Sequence, residues 1–310
     1  MKILFMGTPD FAIPSLRALC DSGEEVVGVV TQTDKPKGRS YVLTPPPVKV
    51  FAESRGIPVY QPKTLRSDDF ARLLAEINPE MIVVIAFGKI LPENVLTYPK
   101  YGCINVHGSL LPAYRGAAPM QRAIINGEME TGITTMYMDA GIDTGDMLLD
   151  ASLPIGENDN FETVHEALAT LGAETLLKTI AGLKAGTVER RKQNEALATY
   201  AAKIEKEDCV LDFTKDAATL HNLIRGLSPM PLAFTHTPDG KLLKVTKARI
   251  AESNRPHTIP GTVLSLDDGI TVACSSGSLT FTGVLPEGKG RMSAVDFIRG
   301  RKLKVGDLLQ

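Results

Sequence analysis

Met81-Ile82-Val83-Val84-Ile85-Ala86-Phe87 is the longest uninterrupted apolar run of the chain, and the fold follows from how it is read. A strand with one face in water alternates apolar and polar residues. This run does not alternate, so both its faces must be covered, as in a parallel sheet between helices. Seven residues suit a strand and fall far short of the ~20 that span a bilayer.

Working outward, the same signature recurs on either side. Lys2–Met6 is a short apolar run stopped by Gly7-Thr8-Pro9-Asp10. Phe11–Asp21 has helical spacing, and Glu25–Thr31 is a Val-rich strand. Val48–Arg55 reads as a helix and Pro58–Tyr60 as a short strand. Ser67 caps a helix to Asn78, with Asp68 and Asp69 favourably placed in its first turn. Gly102–His107 is a strand, Met120–Asn126 a short helix, Ile133–Met138 and Met147–Leu153 strands, and Asn160 caps a long helix to about Ala185. Strands alternating with helices predict a doubly wound α/β domain with a mostly parallel, Rossmann-like sheet over residues 1–186.

Beyond Gly186 the pattern changes. Residues 187–206 are polar and read as a linker. In 207–310 one helix, Ala217–Leu227, is followed by short apolar runs at Leu232–Thr235, Leu242–Ile250, Thr262–Leu266, Ile270–Cys274 and Leu279–Val284. Turn residues separate them, and Ser293 caps a last helix to Arg299. This predicts a smaller OB-like β-barrel domain. Gln32–Pro47 is left as a long loop, and long loops in compact domains are usually functional.

Composition narrows the class. Apolar residues make up 43% of 310, enough to bury a core and exclude disorder. The start of the chain turns polar too early for a signal peptide. Cys20, Cys103, Cys209 and Cys274 lie too far apart for a metal-ligand motif or a disulfide framework, so a reduced, cytoplasmic protein without metal or membrane association is expected. Charge is uneven: 19 Lys+Arg face 24 Asp+Glu in residues 1–200, whereas 11 face 6 in 241–310. A basic tail suits a polyanionic partner.

The motifs narrow it further. Gly7-Thr8-Pro9-Asp10 stands where a dinucleotide-binding fold carries its glycine fingerprint, and that fingerprint is missing, as is a phosphate-binding P-loop. Asn105-Val106-His107 places an amide and an imidazole on one face of a strand near the carboxyl edge of the sheet, where open α/β folds bind ligands. Such a pair can stabilise an oxyanion and handle a proton. Ser109 to Pro119 is a Pro- and Gly-punctuated loop suited to a flat ligand, or simply a strand-to-helix connection. Asp139-Ala140-Gly141-Ile142-Asp143-Thr144-Gly145-Asp146 lacks the spacing of a calcium loop and reads as a hairpin turn with carboxylates to offer. Residues 35–49 hold four basic side chains and no acid, which fits a solvated loop or a phosphate clamp.

Taken together, Gly7–Ala12, the loop through Lys35 to Arg39, Asn105–Gly116, Met138–Met147 and His221–Pro229 resemble the methionyl-tRNA formyltransferases over nearly the whole chain. The central motif is specific to folate-dependent formyltransferases; the start and the tail narrow the resemblance to the tRNA branch. It implies formyl transfer from 10-formyltetrahydrofolate to the amino group of methionine on initiator methionyl-tRNA, with Asn105, His107 and Asp143 catalytic. It assigns Ser109, Leu110, Leu111 and Pro112 to the folate, and Phe87, Gly88 and Asp139 to the pterin wall. It gives Arg39, with Lys35 and Lys37 beside it, to the tRNA acceptor stem, and the tail, including Lys302 and Lys304, to the tRNA body. Ser40-Tyr41-Val42 replaces the lysines common at this point in the family. A formyltransferase acting on an amino-sugar nucleotide shares the trio, and a non-catalytic tRNA-binding module shares the basic tail; a monomer is favoured.

Overall fold

The computed structural model describes residues 1–37, 41–251, 258–300 and 303–310. Its first strand, β1 (Lys2–Gly7), is fully buried from Ile3 to Met6. A 3-10 turn at Asp10–Ala12 precedes α1 (Ile13–Asp21), so this helix begins later than its apolar spacing predicts. Pro14 occupies its first turn, where a missing N–H costs no intrahelical bond. β2 (Glu25–Val30) lies parallel to β1.

The expected long loop instead holds a small antiparallel hairpin, β3 (Lys35–Lys37) with β4 (Val42–Thr44), in register Lys35↔Thr44 and Lys37↔Val42. Val42 and Leu43 are exposed. The hairpin therefore rests on its ladder, and no apolar pattern announced it. α2 (Pro47–Ser54), β5 (Val59–Tyr60) and α3 (Asp68–Ile77) follow. Ser67 Oγ accepts the Phe70 N–H, and Asn78 closes α3 in the left-handed conformation.

All five residues of β6 (Met81–Ile85) are buried. After a one-turn α4 (Glu93–Leu96) come β7 (Cys103–His107), β8 (Arg115–Gly116), α5 (Pro119–Ile125), β9 (Glu130–Tyr137), β10 (Met147–Pro154) and the long α6 (Phe161–Ala185). The sheet order is β10-β9-β7-β6-β1-β2-β5. β7, β6, β1, β2 and β5 run parallel, while β9 is antiparallel to β7. This is the doubly wound, mostly parallel sheet, and it brings the carboxyl ends of β1, β6 and β7 to one edge.

The chain forms two compact units that interleave in sequence. One comprises Met1–Gly116, Thr131–Leu153 and His165–Tyr200; the other comprises Ala117–Glu130, Pro154–Val164 and Ala201–Gln310. After β11 (Tyr200–Ala201), the second unit contains α7 (Ala217–Gly226), β12 (Ala233–His236), β13 (Leu242–Ala251), β14 (Val263–Ser265), β15 (Ile270–Ala273), β16 (Ser278–Pro286), β17 (Met292–Ser293) and α8 (Ala294–Arg299). Its strands form a small curled antiparallel sheet in the order β12-β13-β16-β15-β14, with β17 added on β16. Leu220 and Ile224 of α7 and Phe297 of α8 close its core against Val245, Val272 and Phe281. Among the described residues no helix is long and apolar enough to cross a membrane. All four cysteines are free thiols. Burial pushes Cys103 up to about 12 and Cys274 up to about 11, which leaves both as inert core residues.

Candidate active site

The parallel strands end where the chain must turn, and the turn after β6 is held through its main chain. Thr8, just past β1, donates its hydroxyl to the Phe87 carbonyl at 3.2 Å, and the Gln32 amide, past β2, donates to the same carbonyl at 2.9 Å. Gly88 has φ +75°, and a Cβ there would sit 2.4 Å from Gln32 Nε2. The positive φ favours glycine here, and a larger residue would displace the Gln32 amide. Ala86, at φ +46°, is held in the same sparsely populated region. The Phe87 ring belongs to the core. At this corner the chain therefore offers backbone, and a ligand would meet the turn itself.

At the end of β7, Asn105 and His107 both reach one carboxylate. Asn105 Nδ2 donates to Asp143 Oδ1 at 3.3 Å, and His107 Nδ1 faces Asp143 Oδ2 at 3.6 Å. The other ring nitrogen, Nε2, lies 2.9 Å from the Tyr114 carbonyl. A carbonyl can only accept, so Nε2 carries a proton. The Gly116 N–H donates to Asp143 Oδ2 at 2.9 Å. Asp143 itself is strained, with φ +55°. His107 is buried, whereas Asn105 and Asp143 keep part of their surface.

The turn after β7 is built to hold its shape. Ser109, fully buried, donates its hydroxyl to the Ala113 carbonyl at 2.6 Å. Thr134 Oγ1 donates to the Ser109 carbonyl at 2.8 Å and accepts the Leu111 N–H at 3.0 Å. Leu111 is buried and Leu110 and Pro112 are half-buried. Ser109 and Leu111 thus set the turn, while Leu110 packs onto Gly132 of β9, where a Cβ would lie 2.5 Å from its Cδ2, and both Leu110 and Pro112 keep part of their surface. Asp139 is exposed and spends its carboxylate locally, accepting from the Gly141 N–H at 3.0 Å and the Thr144 hydroxyl at 2.6 Å. It shapes the loop that delivers Asp143.

The basic residues are placed unevenly. Lys35 donates to Gln32 Oε1 at 2.6 Å. Lys304 is exposed. Arg39 and Lys302 lie outside the described residues, and so does the side chain of Lys37. Among the described residues no three His, Cys, Asp or Glu side chains come together so as to hold a metal ion.

Residues that sequence reasoning left unassigned surround this cluster. Arg115 has no exposed surface and is held by Glu195 at 2.7 and 3.0 Å. Gln193 touches both Arg115 and the Asp143 loop. Gln193 and Glu195 sit in the stretch read as a polar linker, and no local signal marks a partner 50 residues away. β9 is buried without a break from Thr131 to Met136, so no alternation singled out Thr134.

An amide, an imidazole and a carboxylate gather at the carboxyl edge of a doubly wound sheet, the edge at which open α/β folds bind ligands. Residues 1–180 match the formyl transferase family model, and residues 203–302 match the model of the formyl transferase C-terminal domain. The chain is 50% identical over 308 residues to the methionyl-tRNA formyltransferase of Geobacter metallireducens, covering 99% of this chain and 97% of that protein. The chain belongs to the methionyl-tRNA formyltransferase family. Among solved structures, the methionyl-tRNA formyltransferase from Clostridium thermocellum superposes with a TM-score of 0.55 at 20% identity, over 82% of this chain and 95% of that one. An N-formyltransferase from Helicobacter canadensis, in complex with folinic acid and dTDP-3-aminofucose, gives 0.68 at 20% identity, over 91% and 98%. The fold is therefore shared by enzymes that formylate different amines and does not itself select the acceptor.

Proposed function

We propose that Asn105, His107 and Asp143 perform the transfer of a formyl group from 10-formyltetrahydrofolate to the α-amine of methionine carried by initiator tRNA. That activity, yielding N-formylmethionyl-tRNA for translation initiation, is the family's and this chain's. The observation that carries the residue assignment is one carboxylate, Asp143, bound to the amide of Asn105 and facing the ring of His107.

When bound, 10-formyltetrahydrofolate supplies the formyl group and N10 as leaving nitrogen. The donor set suits it: main chain at residues 86–88 and 109–112 for the edges of a flat heterocycle, and Leu110 and Pro112 for its faces. The attacking amine is its own nucleophile, so no serine or cysteine is needed. Asn105 uses one N–H on Asp143 and has a second to offer the negative charge that grows on the formyl oxygen. One such donor is typically worth ~10²–10³ in rate. Asp143, pinned by the Gly116 N–H, holds the imidazole in place, and this pair is positioned to take the proton that leaves the amine, which must be delivered to N10 as its bond to the formyl carbon breaks.

The finer assignments are of the same kind. Residues 1–186 carry the reacting groups and 207–310 bind the tRNA body, while 187–206 joins them and, through Gln193 and Glu195, also supports the Asp143 loop and Arg115. Arg39, Lys35 and Lys37 meet the acceptor stem. The enzyme works as a cytoplasmic monomer, a reading supported by four free cysteines and by the location of its tRNA partner. The test is formyl transfer to charged initiator tRNA, run beside an amino-sugar nucleotide. Formylation of the sugar amine alone would overturn the acceptor.

A further inference from the structure

We propose that Gln193 is a positioning residue for the reaction, clamping the loop that presents Asp143. The inference rests on the assignment of Asp143 above. The Gln193 side-chain amide donates both N–H groups into that loop, to the Asp143 carbonyl at 2.8 Å and the Gly145 carbonyl at 2.8 Å. Its Oε1 accepts from Arg115 Nε at 2.9 Å. Arg115 is fully buried and its remaining guanidinium edge is bound bidentately by Glu195. Every polar atom of the Gln193 side chain is thus used, and its amide orientation is fixed: Arg115 can only donate and the two carbonyls can only accept.

The loop needs such a clamp. Asp143 sits at φ +55°, a conformation that persists only where surrounding structure over-determines it. Two residues on, Gly145 packs so closely that a Cβ would lie 1.8 Å from the Tyr137 carbonyl. The Gln193 amide bridges these two carbonyls and holds the strained turn shut. The same segment also fixes the other partners of the trio. Thr199 Oγ1 accepts the Tyr114 N–H at 2.8 Å, and the Thr199 carbonyl accepts the Arg115 N–H at 2.9 Å. Tyr114 offers the carbonyl that holds His107 Nε2, and Gly116 offers the N–H that holds Asp143. Residues 193–199 therefore act as a strap behind the site. Gln193 is the one side chain in it that bonds the Asp143 backbone directly.

Misplacing a reacting group by about 1 Å can cost ~10²-fold. Gln193→Ala should lower kcat by ~10- to ~100-fold, with KM for 10-formyltetrahydrofolate and for methionyl-tRNA each within about threefold, the pattern of an interaction felt at the reacting centre. Gln193→Glu keeps an acceptor for Arg115 but sets a carboxylate against two carbonyls, so it should lose at least as much. The decisive comparison is a double-variant cycle with Asp143→Asn. If the clamp acts through the Asp143 carboxylate, Gln193→Ala should cost no more than about twofold in the Asp143→Asn background. An equal cost in both backgrounds would overturn the proposal, as would full activity of Gln193→Glu, which would leave the residue a mere partner for Arg115. Failure of the underlying assignment is visible separately: Asp143→Asn alone would then keep its turnover.

Discussion

At the scale of the residue, the trio divides into groups that meet charge and a group that holds them. In the proposed assignment Asn105 meets the developing negative charge with an amide that cannot titrate, so its loss would be one of geometry and dipole. His107→Ala should lower turnover by orders of magnitude while folate affinity holds, because the turn at 109–112 is fixed by Ser109 and Thr134 independently of the ring. Stopped-flow turnover with equilibrium folate binding separates the two, and near-normal turnover would remove His107 from the mechanism. Asp143→Asn should be almost as severe. It keeps the shape but loses the charge that both Asn105 Nδ2 and the Gly116 N–H are aimed at. Asn105 and His107 were legible as a pair because strand period alone puts them on one face. Their convergence on Asp143, 36 residues beyond His107, came only from family resemblance. Gln193 was invisible altogether, since a glutamine in a polar stretch carries no periodic signal.

At the scale of the element, α7 shows how local chemistry sets a stability window. Its Asp216 cap accepts both the N–H and the hydroxyl of Thr219, and these bonds hold the carboxyl below the usual carboxylate range. On the same helix, burial first and the nearby Arg225 second push His221 below the ordinary imidazole range. Ala248 main chain and Glu157 oppose that shift without cancelling it. Both groups bind protons more readily unfolded than folded, so both make stability fall as pH falls. His221 acts first, as pH drops below its unfolded value near ~6.5; Asp216 acts later, as pH drops below ~3.9. Asp216→Ala should cost about 1 kcal/mol at neutral pH, whereas Asp216→Asn should keep most of the cap and lose only the share of the second step that Asp216 contributes beside the other carboxylates held low, such as Asp208 and Asp212. Thermal melts across pH check both; an Asp216→Asn melt that falls as steeply as the unsubstituted protein through the second step would refute this account. Elements such as β6 and α3 were readable because burial on both faces, or a serine cap, is written in adjacent residues. The β3–β4 hairpin was not, since it is held by main-chain pairing between exposed side chains.

At the scale of the molecule, charge and topology divide the work. The sheet edge collects a neutral amide, an imidazole and one carboxylate. The basic excess lies elsewhere in the sequence, over residues 241–310. Neutralising tRNA phosphates releases condensed counterions, so affinity should fall steeply with salt, and each contact removed should flatten the log–log slope by about 1. Lys304 is exposed, with its main-chain N–H taken by Asp307, so its side chain adds charge without carrying the fold. Lys302→Ala with Lys304→Ala should therefore flatten the slope by about 2 if both meet phosphate. It should weaken tRNA binding at low salt, while kcat at saturating tRNA and the KM for 10-formyltetrahydrofolate stay put. If Arg39 meets the acceptor stem as proposed, Arg39→Ala should behave differently, because a guanidinium there would orient as well as attract, and Arg39→Lys should rescue only part of the loss. Salt titrations of tRNA affinity on these variants decide between attraction and orientation: an unchanged slope for the tail pair would mean that those lysines face only solvent, and the tRNA body must then be held by other residues of the second unit.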